Sequence, residues 1–81
     1  MYKYLTSAEY LKDYKIFVSF NNGDEGVVDL KDKLKPKGIF RNIMDLQNFK
    51  KVKFNPELDT ISWPNGADLA PEFLYECLQK N

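Results

Sequence analysis

Histidine is absent from this 81-residue sequence, and cysteine and arginine each occur once. Without histidine, the commonest general base, the commonest metal ligand and the usual pH switch are missing together. A single thiol, Cys77, excludes an intrachain disulfide and any multi-cysteine zinc site. No apolar run is long enough to span a bilayer. The start, Met1-Tyr2-Lys3-Tyr4, lacks the apolar stretch of a signal peptide, so a cytoplasmic location is expected. The four glycines, Gly23, Gly26, Gly38 and Gly66, stand apart, which excludes a glycine-rich phosphate loop. The single arginine argues against forked recognition of phosphates or base edges.

Large aromatic side chains are well supplied. Six Phe, five Tyr and one Trp make up 15% of the chain, and each buries a large area. A chain of this length forms one core rather than two, burying roughly 60–65% of its unfolded surface. Residues 1–81 are therefore expected to make one compact α+β domain.

Two periodicities organise the pattern. Tyr14, Ile16, Val18 and Phe20 alternate with Lys15 and Ser19, as in a half-buried strand, and Phe17 implies partial cover on the second face. Asn21-Asn22-Gly23-Asp24 reads as a hairpin turn, with a type I′ geometry expected for Asn-Gly. Glu25–Leu30 is the return strand. Tyr4–Tyr10 supports either a strand, the preferred reading, or a turn capped by Ser7. Leu30–Gly38 reads as a lysine-rich loop with one helical turn before Pro36. Ile39–Leu46 has helical spacing. Phe49–Phe54 and Thr60–Trp63 read as a second hairpin about Asn55-Pro56-Glu57-Leu58-Asp59, with Ile61 and Trp63 inward. Pro71–Lys80 reads as a helix with an apolar stripe of Phe73, Leu74, Cys77 and Leu78. The sum is about five short antiparallel strands in two hairpin groups, a short middle helix, and a C-terminal helix on one sheet face.

Charge is balanced overall but uneven. Residues 31–53 hold eight basic side chains (Lys31, Lys33, Lys35, Lys37, Arg41, Lys50, Lys51 and Lys53) against Asp32 and Asp45, a formal +6 that the rest of the chain offsets. Such a dipole can steer an acidic partner or a nucleic-acid backbone. Lysines on an edge strand equally discourage aggregation. Asp68 and Glu72 stand four apart, but two carboxylates are too few for a Mg²⁺ or Ca²⁺ site. Their place near a helix start is explained by the dipole. Cys77, between Leu74 and Leu78, reads as an inert core thiol. Ser7, Ser19 and Ser62 have no histidine to activate them. No catalytic residue, cofactor or metal is expected, and the chain does not read as an enzyme.

The most distinctive segment is Trp63-Pro64-Asn65-Gly66-Ala67-Asp68. It reads as a strand-to-helix junction in which Trp63 plugs the core and Asp68 faces the first amides of the helix. Such a junction could also present amides to an anion. Together with the Phe20-Asn21-Asn22-Gly23 turn, Val28-Asp29-Leu30, Gly38-Ile39-Phe40, Phe49, Val52, the continuation Leu69-Ala70-Pro71-Glu72, and Leu74-Tyr75-Glu76, this segment resembles the bacterial domain-of-unknown-function 2442 family. The resemblance covers nearly the whole chain from Tyr10 onward. It implies a compact α+β domain with no established activity. Some relatives stand alone, others carry a helix-turn-helix domain, and their genes often adjoin another small gene in a toxin–antitoxin-like layout. No such appendage precedes Asn81, so direct transcriptional regulation is not expected.

These observations point to a non-enzymatic protein-interaction or regulatory module, antitoxin-like, with a small protein partner. The candidate interaction residues are Trp63, Asn65, Asp68, Lys33, Lys35, Lys37 and Arg41. Weak nucleic-acid binding through residues 31–53, a small-molecule or anion site at residues 63–68, and homo-oligomerisation are the alternatives.

Overall fold

The computed structural model describes residues 3–35 and 37–79. The elements run β1 (Leu5–Lys12), β2 (Lys15–Phe20), β3 (Glu25–Asp29), α1 (Ile39–Ile43), α2 (Leu46–Phe49), β4 (Lys53–Asn55), β5 (Thr60–Ser62) and α3 (Pro71–Gln79). The strands form two antiparallel sheets, β1-β2-β3 and β4-β5. This is an α+β architecture with five strands in two groups, as the pattern predicts. The radius of gyration is 11.7 Å, which matches about 12 Å for a compact chain of this length.

The alternation in β2 sets the inner face. Ile16, Val18 and Phe20 are buried, and across the ladder they meet Tyr10, Ala8 and Leu5 of β1 and Val28 and Gly26 of β3. The outer face carries Phe17 between Glu9 and Val27. β1 is irregular: the register shifts between Leu5 and Ser7 and again between Tyr10 and Lys12. Each irregularity offsets the inward set, so Leu5 and Ala8 share a face although they are three residues apart.

α3 lies against β3. A Cβ on Gly26 would sit 2.7 Å from Leu78 Cδ1, so the end of the Leu78 side chain fills the space left open at the glycine. Leu74 and Cys77 of α3 are buried, and Phe73 and Leu78 are half-buried. At the end of this contact Tyr75 stacks edge-on against Phe20, 5.1 Å between ring centres, and its hydroxyl donates to Asp24. β1 also packs against β4 and β5, and the Leu5 amide donates to the Asp59 carbonyl at 2.9 Å.

Three expectations change. The Asn21–Asp24 turn is not type I′. Only Gly23 has positive φ (92°), the Gly23 amide bonds to Phe20 O, and the Phe20 amide bonds to Asp24 O. That is a three-residue loop with a glycine bulge. The helix expected over Ile39–Leu46 breaks in two. Asp45 takes an extended conformation (φ −71°, ψ 123°) and its carboxylate accepts from the Gln47 amide at 3.0 Å, capping a new helix. Phe49 consequently ends α2 instead of beginning a strand: its amide bonds back to Asp45 O, and the Lys50 amide to Leu46 O. β4 starts only at Lys53. In the lysine-rich loop, the Lys33 amide closes a turn on Leu30 O. Pro36 and Lys80 lie outside the described residues.

Candidate functional site

Phe49 is the hub of the core. It is fully buried and meets Tyr14 at 4.9 Å, Trp63 at 5.7 Å and Tyr10 at 6.2 Å between ring centres. Trp63 fills the space beside it, 4% exposed. The indole Nε1–H donates to the Phe49 carbonyl at 2.9 Å, a buried bond that fixes the ring against the end of α2. Tyr14 does the same for α1, its hydroxyl donating to Met44 O at 2.6 Å.

The segment after Trp63 is a tight hairpin loop before it is a junction. The Trp63 amide bonds to Ala67 O, the Gly66 amide bonds to Trp63 O, and Gly66 has φ 94°. An isolated bridge then pairs Ser62 with Asp68. This is the geometry of the Phe20–Asp24 loop repeated. The parallel extends to the asparagines: Asn22 Oδ1 accepts from the Asp24 amide and Asn65 Oδ1 from the Ala67 amide, both at 3.1 Å.

Asn65 does one thing more. Its Nδ2 donates to the Ile39 carbonyl at 3.1 Å and to Asn42 Oδ1 at 3.4 Å. The loop is thus tied to α1, 26 residues earlier in the chain. Thr60, a buried polar residue, secures the other side by donating from Oγ1 to Leu69 O at 2.6 Å.

Between the loop and the two short helices lies a hollow of about 280 Å³, lined by Asn42, Ile43, Asn48, Lys51, Trp63, Pro64 and Asn65. A second hollow of about 260 Å³ adjoins it, lined by Lys51, Lys53, Ser62, Trp63 and Pro64. Lys51, Trp63 and Pro64 line both, so the two form one open groove across the Trp63–Pro64 step.

Trp63 and Asn65 thus meet in this groove. Asp68 does not line either hollow; its side chain is exposed. Among the described residues no hydrogen bond joins its carboxylate to the first amides of α3, where the sequence predicts one. Lys33, Lys35, Lys37 and Arg41 are exposed and stand outside the groove lining. Asn42 and Asn48, which do line it, lie in helical positions whose polarity alone reads as solvated surface. Lys51 was legible only as one of eight cations. The loop's Gly66 and Ala67 amides are already bonded within the loop, so they are not open to an anion. Among the described residues, no group of three or more Cys, Asp and Glu side chains is gathered to hold a metal ion. No described helix is long and apolar enough to cross a membrane.

The fold and groove define a small α+β protein in which the loop from Trp63 to Asp68 ties β5 to α1 and to the core. The chain belongs to the family described as protein of unknown function (DUF2442), whose model matches residues 5–78. Neither a curated protein nor a solved structure matches it.

Proposed function

We propose that this protein is a non-enzymatic interaction module, acting in the cytoplasm in an antitoxin-like role, that binds a small protein partner with an acidic surface. One observation carries the reading: all eight basic side chains of residues 31–53 are exposed. A formal +6 gathered in 23 consecutive residues of a neutral chain favours acidic partners and speeds encounter with them. Their chemistry favours protein over nucleic acid, because seven of the eight are lysine and forked phosphate or base contacts call for arginine. The lack of histidine supports the non-enzymatic part.

Co-expression with the product of the neighbouring gene, followed by size-exclusion chromatography at micromolar concentration, tests the proposal. Co-elution, and relief of growth arrest caused by the neighbour, are expected. Two separate peaks without relief refute it. A titration with labelled DNA and RNA at low and at raised salt tests the competing reading; tight binding that weakens steeply with salt would favour nucleic acid.

A further inference from the structure

We infer that the groove across Trp63 and Pro64 is a recognition site for an extended acidic peptide segment. The inference rests on the interaction reading above and names where the partner is held.

The groove suits this occupant on three counts. Its two hollows, about 280 and 260 Å³, are open and adjoining. Both are open surface hollows, and an extended chain can cross the two where Lys51, Trp63 and Pro64 line them together. Its middle is apolar, an exposed Pro64 ring over a floor where the buried Trp63 and Ile43 side chains come close to the surface. Its polar groups divide by position: Asn42 and Asn48 on the α1–α2 side, Lys51 and Lys53 on the β4 side.

The asparagines that line the first hollow keep hydrogen-bonding capacity that a peptide backbone could use. Asn48 donates through Nδ2 to Asn42 O at 3.1 Å, which leaves its Oδ1 pointing elsewhere as an acceptor. Asn42 Oδ1 accepts from Asn65 at 3.4 Å, which leaves its Nδ2 as a donor. One donor and one acceptor match the C=O and N–H of a passing peptide unit. Lys51 and Lys53, both exposed, supply the charge for carboxylates. The site is also preformed. The Trp63 bond to Phe49 O and the Asn65 bond to Ile39 O fix its walls without a ligand, which lowers the ordering cost of binding.

The test is an amide and indole NMR titration of the full chain. The probe is an acetylated seven-residue peptide alternating glutamate and leucine. The same peptide with lysine for glutamate, and an eight-nucleotide oligothymidylate, serve as comparisons. The acidic peptide is expected to shift the Trp63 indole signal and the amides of Asn42, Asn48 and Lys51. Lys51→Glu should weaken it about ten-fold, with Lys12→Glu, an exposed site outside both the groove and the basic segment, close to wild type. Shifts centred on Lys33, Lys35 and Lys37 overturn the groove but leave the interaction reading standing. So does co-elution with the partner protein that Lys51→Glu does not weaken. Absence of acidic-peptide binding, equal binding of the lysine peptide, or preference of the groove for the oligonucleotide also overturns it. The interaction reading itself stands or falls separately, on co-elution with the wild-type chain.

Discussion

Two loops with the same backbone geometry make an internally controlled experiment. Asn22→Ala removes the Asn22 Oδ1 bond to the Asp24 amide and an exposed contact with the Asp24 carboxylate. Asn65→Ala removes the equivalent bond to the Ala67 amide, and in addition the donations to Ile39 O and Asn42 Oδ1. A typical hydrogen bond contributes about 0.5–1.5 kcal/mol, and the exposed setting favours the low end. Asn22→Ala should therefore cost about 0.5–1 kcal/mol and Asn65→Ala about 1.5–2.5 kcal/mol. The difference, about 1 kcal/mol, measures the tether between the loop and α1 and corresponds to about 4–8 °C in Tm for a chain of this size. Urea unfolding followed by the fluorescence of Trp63, the sole tryptophan, reads both variants on one probe. Unchanged slopes would confirm that stability alone has moved. Equal losses in the two variants would refute the reasoning, because Asn65 would then be only a turn residue.

Other perturbations follow from the same contacts. Trp63→Phe should cost about 2–4 kcal/mol from lost packing plus one bond. The Phe49 carbonyl keeps its bond from the Val52 amide at 3.1 Å, so a loss above about 5 kcal/mol, measured by circular dichroism, would contradict this account. Gly26→Val should destabilise by about 1–3 kcal/mol through collision with Leu78. Leu78→Ala should recover part of that loss in a double-mutant cycle, and strict additivity would place the clash elsewhere. Cys77 is 4% exposed, so a thiol reagent should modify it only as fast as α3 opens; fast labelling in native buffer would count against the packing of this helix.

The regular parts of the fold were legible where one period ran undisturbed. β2 and α3 are of this kind: Ile16, Val18 and Phe20 alternate cleanly, and Leu74 and Cys77 stand on one helical stripe. β1 was ambiguous for a physical reason. Its register shifts put Leu5 and Ala8 on one face and break the alternation that marks a strand. The middle failed at Asp45, a residue that reads as helix surface but whose extended backbone starts a second helix. That shift carried Phe49 from an expected strand into the core hub. In the site, the weight of Trp63 and Asn65 showed in the sequence as an unusual string of residues. Their partners did not, because Phe49 O, Ile39 O and Asn42 Oδ1 are met only through the tertiary fold.

The order in which the chain is made gives the β3–α3 contact a further meaning. All three strands of the first sheet have been made once Asp29 is added, but the helix that packs against the third begins only at Pro71. At about 5–20 residues per second, residues 30–70 take about 2–8 s to synthesise. During that interval the inner surface of Ile16, Val18 and Val28 lacks the cover of α3, on a sheet whose strands are already able to pair. A nascent chain that closed this sheet early would therefore expose an apolar face that the finished protein covers. The eight cations of residues 31–53 are added within that window, and like-charge repulsion between chains on neighbouring ribosomes would hold those sheets apart until α3 arrives.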